Sequence, residues 1–194
     1  MVTILEVKEL RLKTGVSIMQ CKKALEEAGG DMEKAIIILK KKGGQDAVKK
    51  SGRNLTAGVV QAYIHNTKNV GAMVALSSET DFVAKNEEFI QLAYNIAMHI
   101  AATNPEFKDA GSVDEKDFKA AKEVFSDEVK GKPKNLKEKI LKSKLDAYFK
   151  DKILLEQSYI KDQQHTIKDL LDSAVQKFGE RIELVSFTRY SIRE

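Results

Sequence analysis

A chain of 194 residues, 42% hydrophobic and 32% charged, is expected to fold as one large or two small globular domains rather than remain disordered. No stretch approaches the ~20 apolar residues that a membrane-spanning helix needs, the start MVTILEVKEL does not read as an export signal, and the single Cys21 rules out an intrachain disulfide and fits a reducing cytoplasm or organelle matrix. The net charge of +4 is uneven, with 12 Lys/Arg against 7 Asp/Glu in residues 1–56, 3 against 6 in 57–111 and 18 against 16 in 112–194; because the basic residues are mostly interleaved with acids at helical spacing, solvated helix faces are favoured over a nucleic-acid or membrane surface.

Residues 1–44 read as three short helices. Ile4, Val7 and Leu10 begin the first, and Gly15 follows its end. Ser17 can cap the second, in which Ile18, Cys21, Ala24, Leu25 and Ala28 recur at helical spacing. Gly29 and Gly30 stop it, since glycine tolerates the left-handed conformation at a helix end. Asp31 caps the third, with Met32, Ala35, Ile36 and Leu39 on one face. A bundle this small has a marginal core, which suits a docking role. Residues 43–56, GGQDAVKKSGRNLT, show no period and read as a linker, with 45–56 assigned as the basic connector between two domains. The stretch GQDAVKKS within it nearly matches a phosphate-binding loop, but Lys49 replaces the second glycine and no buried strand precedes it, so both the turn and its context fail.

The second domain is assigned to residues 57–194. Residues 58–66 and 70–78 alternate apolar and polar positions around Asn66-Thr67-Lys68-Asn69, which predicts an antiparallel hairpin with Val70, Ala72, Val74 and Leu76 on one face. A helix from about Asn86 to Thr103 carries the stripe Phe89, Leu92, Ala93, Ile96, Ala97, Ile100 and Ala101, and Asn104-Pro105 ends it. Residues 114–150 read as a helical hairpin broken at GKPK (131–134), with thin apolar stripes that suit an arm projecting from the body. Ile153 to Ile160 reads as extended or irregular. Thr166 and Asp169 then have capping-box spacing at the head of a further helix. Residues 181–193 close the chain as a strand, with Ile182, Leu184, Ser186, Thr188, Tyr190 and Ile192 on one face and Val185 and Phe187 on the other. The fold class is therefore α+β: an N-terminal three-helix bundle, then about three antiparallel strands packed by helices, with a protruding helical hairpin.

Chemistry is scarce along this chain. His65, His99 and His165 do not fall at metal-ligand spacing with one another or with Cys21, so no metal or cofactor is expected. His99, beside the apolar stripe of its helix, reads as a packed or solvent-edge residue more than as a base. No nucleophile elbow or dinucleotide turn is present, and the pattern argues against an enzyme. Lys40, Lys41, Lys42, Lys49, Lys50 and Arg53 are able to track phosphates, yet no aromatic residue interleaves with them to stack bases, so direct nucleic-acid binding is not expected.

The polar corner SSETDFVAKNEEF, residues 77–89, places Phe82 among acids and serines. The commoner fate of such a ring is burial in its own core. The alternative is a ring presented outward on a short loop between a strand and a helix, where little freedom is lost on binding. Asp81 then sets an anion beside an apolar wedge. The residues alone do not choose between these two.

EVKELRLKTGVSIMQCKKALEEAGGDMEKA (6–35), TDFVAKN (80–86), IAMHIAATNPEF (96–107), GKPKNLKEKILKSKLDAYFKD (131–151) and TIKDLL (166–171) together resemble, in the same order, the translation elongation factor Ts family. The resemblance implies a guanine-nucleotide exchange factor for elongation factor Tu, a GTPase, with no cofactor of its own. It implies that the bundle is ubiquitin-associated-like and docks on the partner's GTPase domain, with Met19, Lys22 and Lys23 as docking candidates. Thr80, Asp81, Phe82 and Val83 are implied to form the element that dislodges the partner's magnesium ion and distorts its phosphate cradle. Long members of the family carry two related cores where this chain has one. The short forms instead associate as two chains, which implies a homodimer in a 2:2 complex, with strand 181–193 or the hairpin 114–150 as the contact. The rival readings are a general protein-interaction module and an RNA-binding translation accessory protein.

Overall fold

A computed structural model describes residues 2–129 and 133–192. Helices α1 (Ile4–Thr14), α2 (Ile18–Glu27) and α3 (Met32–Lys50) form the N-terminal bundle. Each start is locally specified. Thr3 and Glu6 make a reciprocal capping box on α1, Ser17 accepts from Gln20 N on α2, and Asp31 accepts from Lys34 N on α3. The turn after α1 needs the left-handed conformation and has Gly15 at φ 69°. Val7, Leu10, Val16, Cys21, Ala24, Leu25, Ala35 and Leu39 fill the bundle core. Burial raises the Cys21 thiol pKa, so it stays a packed thiol.

The third helix departs from the sequence expectation. It continues through Gly43-Gly44 to Lys50, so the first half of the segment read as irregular linker is helical. A glycine inside a helix costs roughly 1 kcal/mol relative to alanine, and here packing offsets it. A Cβ on Gly43 would lie 3.1 Å from the Asp172 carbonyl oxygen on a facing helix, so the missing side chain lets two helices approach. Ala47 packs on the main core, and Lys40 Nζ pairs with Asp169 at 2.8 Å. Local composition signalled a breaker, whereas tertiary contact made it a close-packing site.

Strands β1 (Ala57–Ile64) and β2 (Val70–Ser78) form the expected hairpin. A short turn α4 (Asp81–Ala84) leads into α5 (Glu87–Thr103), which Asn86 caps and Asn104 ends in the left-handed conformation. The helical hairpin follows as α6 (Glu115–Glu128) and α7 (Lys134–Lys150). Of its expected GKPK breaker, Gly131 and Lys132 lie outside the described residues. Leu145, Phe149 and Ile153, with Phe107, Phe125 and Leu141, give the hairpin a core of its own. It joins the body where Phe107 N donates to Lys152 O and Leu154 N to Phe107 O.

Residues 153–160, expected to be extended or irregular, hold a 3-10 turn and the first arm of a small ribbon, β3 (Ser158–Tyr159) with β4 (Asp162–Thr166). Thr166 and Asp169 form the expected capping box on α8 (Ile167–Phe178). Strand β5 (Ile182–Ser191) then pairs antiparallel with β2, giving the order β1-β2-β5. The architecture is α+β, as the sequence predicts.

The alternation of β5 is not the clean one expected. Ala75 opposes Ser186 and Leu76 opposes Leu184, so Val185 is an extra residue in a β-bulge. A bulge shifts the period by one. Ile182 and Leu184 face the core, but beyond the bulge Phe187 and Arg189 do so, while Ser186, Thr188 and Tyr190 turn out. Arg189 donates from Nε to the Ala101 carbonyl at 3.1 Å, where the C-terminal end of α5 favours a cation. The inner sheet face (Val59, Ala72, Val74, Leu76, Leu184) packs against α5 and α8. The outer face leaves Val60, Ile64, Met73 and Tyr190 exposed.

His99 lies inside this core and touches no solvent. Its Nε2 is 2.9 Å from Gln157 Oε1, which also accepts from Thr103 Oγ1, and its Nδ1 accepts from Ile160 N at 3.4 Å. Burial lowers its pKa, so the ring is held neutral and packed, tying α5 to the chain on either side of β3.

Candidate partner-binding site

Strand β2 runs buried to Ser78, whose hydroxyl donates to the Thr80 carbonyl at 3.0 Å and bends the chain. Asp81 to Ala84 make one helical turn, then Lys85 and the Asn86 cap redirect the chain into α5. On this single turn the side chains at 82 and 83 are about 100° apart, which is enough to send them into different surroundings. Val83 is buried in the main core, while Phe82 is 86% exposed. Of the two fates open to that ring, the structure gives the outward one.

The base of the turn is held by charged groups from three segments. Glu79 accepts from Arg181 N at 2.5 Å and from Arg53 Nη1 at 3.1 Å. The backbone bond from Arg181, with Arg53 beside it, holds the Glu79 carboxyl below its ordinary pKa. Glu180 accepts from Thr80 N at 3.0 Å and from Thr80 Oγ1 at 2.6 Å. Thr56 Oγ1 donates to the Glu79 carbonyl at 2.6 Å, joining β1's approach to the same corner. Asp81 pairs with Lys85 at 2.6 Å, one helical turn on, and that cation lowers its pKa. Asp81 is therefore an exposed carboxylate beside an exposed benzyl ring.

Of the four corner residues picked out in the sequence, Asp81 and Phe82 are presented to solvent, Val83 is the anchor, and Thr80 is clamped from β5's side. Lys85, Glu79, Glu180 and Arg181 complete the corner without standing out in the sequence. Only Lys85 had a local signal, its i, i+4 spacing from Asp81; the clamp to Glu180 spans 100 positions and left none. In the bundle, Met19, Lys22 and Lys23 are all exposed on α2. Leu5 and Leu12, seven residues apart on α1, and Ile18 on α2 are exposed apolar side chains of the same bundle. Among the described residues no cluster of three or more His, Cys, Asp or Glu is placed to hold a metal ion, and no helix is long and apolar enough to cross a membrane.

Comparison with known proteins adds a second line. A family model described as elongation factor TS matches residues 39–194. A protein from Thermotoga petrophila described as elongation factor Ts is 45% identical over 97% of this chain and 94% of its own length. One of the same description from Thermodesulfovibrio yellowstonii is 46% identical over 98% and 96%. Another from Carboxydothermus hydrogenoformans is 46% identical over 100% of this chain and 90% of its own. The alignments with these three relatives take in the bundle and the corner alike, whereas the family model begins within α3.

Proposed function

The chain belongs to the elongation factor Ts family, and we propose that it is the guanine-nucleotide exchange factor of elongation factor Tu, acting in the cytoplasm during translation elongation. The observation that carries this reading is Phe82, an exposed ring on a turn braced at both ends. The bundle docks through the exposed patch around Met19, Lys22 and Lys23. The corner then enters beside the partner's nucleotide site. Phe82 wedges between the elements flanking the magnesium ion, and Asp81 competes for the positive groups that hold it. With the ion dislodged, the phosphates lose the charge that neutralised them, and GDP leaves.

Linkage makes this catalytic without bond chemistry in the factor. A factor that binds the empty GTPase more tightly than the GDP-bound one must weaken GDP by the same ratio. The test is release of a fluorescent GDP from purified Tu protein. Adding the chain is expected to accelerate release in a saturable way, and to accelerate release of a GTP analogue as well. Release at the intrinsic rate at every concentration would overturn the reading.

We further propose that two chains act together. The outer face of the sheet, with Val60, Ile64, Met73 and Tyr190 exposed, is an apolar surface of the kind that marks association. The two chains pair there, face to face, with β5 contributing Tyr190. Sedimentation equilibrium is expected to give twice the mass of one chain, and Ile64→Lys with Met73→Lys the mass of one. A wild-type monomer at micromolar concentration, or a dimer untouched by both lysines, would rule this contact out.

A further inference from the structure

We propose that Glu180 is a positioning residue for nucleotide exchange: its carboxylate grips Thr80 from the α8–β5 junction and fixes the direction in which Phe82 points. The inference rests on the wedge reading above and adds to it a residue outside the TDFV stretch.

The four-residue turn that carries Phe82 is anchored by Val83 in the core, which leaves its N-terminal end to be fixed separately. A single helical turn is unfavourable alone, because several dihedrals are fixed for one hydrogen bond. The usual remedy is a side-chain cap, but the cap residue Thr80 makes no such bond to its own helix. Its hydroxyl instead donates outward to Glu180 Oε1, and its N–H donates to Glu180 Oε2. Both donors of the residue that opens the turn are thus taken by one carboxylate from across the fold. Two bonds to one planar group fix orientation as well as distance.

The neighbouring bonds show that this grip is surplus to the fold. The junction of β2 with β5 is already closed by Arg181 N on Glu79, by the Ser78–Ile182 pairing and by burial of Val83. Glu180 sits one residue after Gly179, whose φ of 74° ends α8 and turns the chain toward Thr80. Loss of Glu180 is expected to leave the sheet pairing intact and to loosen the N-terminal end of the turn, where Val83 does not reach.

Amide hydrogen exchange on the chain alone tests the grip directly. Glu180→Gln keeps the shape of the side chain but has one acceptor oxygen instead of two, and Glu180→Ala has none. Both are expected to speed exchange at the Thr80 amide while β2 and β5 amides keep their protection. In the GDP-release assay the maximal rate is expected to fall about tenfold, as it does if a tenth of the molecules hold the competent turn. The half-saturating concentration is expected to stay within about threefold, because docking through the bundle is untouched. Thr80→Val removes one of the two bonds, and combining it with Glu180→Gln is expected to slow release by less than the product of the single effects. Unchanged protection at Thr80 overturns the proposal whatever the release rates are. Wild-type release in Glu180→Gln, with Phe82→Ala slow, overturns the positioning role alone. Wild-type release in Phe82→Ala overturns the wedge and this proposal with it.

Discussion

Replacing Phe82 by alanine is expected to slow GDP release from elongation factor Tu by about ten- to a hundredfold, because burying a phenylalanine side chain is worth roughly 1.5–3 kcal/mol. The chain itself is expected to be nearly indifferent to the change. With the ring 86% exposed, truncation removes almost no packing, and surface substitutions of this kind stay within about 0.5 kcal/mol. Thermal midpoint and oligomeric mass should therefore match wild type while the release rate does not. Phe82→Leu should recover part of the rate, since an apolar branch remains to enter the cleft. Asp81 has a smaller part. Its carboxylate is already paired with Lys85 in the free chain, so Asp81→Ala is expected to slow release less than Phe82→Ala does. Stopped-flow release at saturating factor distinguishes a lost wedge from weakened docking. A lowered plateau rate supports the wedge, and a shifted half-saturation with the plateau intact would place Phe82 in docking instead.

Much of this fold is legible in the sequence because it is written locally. Ser17, Asp31 and Thr166 each cap the helix that follows, as residue type and spacing predict, and the structure adds Thr3 and Asn86 as caps of α1 and α5. The hairpin β1-β2 is readable from alternation on either side of a polar turn. What was illegible depends on partners far along the chain. Gly43 looks like a breaker until Asp172 is known to lie against it. Val185 looks like one more strand residue until Leu76 and Ala75 show that it has no partner of its own. The ribbon β3-β4 has too few residues for a period to show. The site divides the same way. The oddity of Phe82 in a polar corner was visible, and the motif around it carried the resemblance. Its bracing by Glu79, Glu180 and Arg181 was not, because hydrogen bonds across the fold leave no spacing to read. Whether the ring turned in or out was undecided in the sequence for the same reason: Val83 beside it is also apolar, and only the packing shows which of the two the core accepts.

Phe89→Ala should give the reverse of Phe82→Ala. The two rings are seven residues apart, and Phe89 is wholly buried, at 0% exposure, with its ring edge-on to Phe178 at 6.0 Å. Truncating a buried phenylalanine typically costs about 3–5 kcal/mol, the transfer of the ring plus the cavity left behind. For a chain of this size each kcal/mol shifts the midpoint by roughly 2–4 °C, so a fall of about 6–20 °C is expected in thermal denaturation. A loss that large approaches the lower end of total domain stability, about 5 kcal/mol. Phe89→Leu should restore part of it by refilling the space. The informative measurement is GDP release by Phe89→Ala at low temperature, normalised to the folded fraction. If Phe89 serves only the core, each folded molecule releases GDP at close to the wild-type rate, in contrast to Phe82→Ala. If release per folded molecule falls too, the cavity has loosened the seat of Val83 and with it the turn, and the wedge depends on the core beneath it as well as on the clamp beside it. A midpoint unchanged within 2 °C would contradict the packing described for α5 against α8.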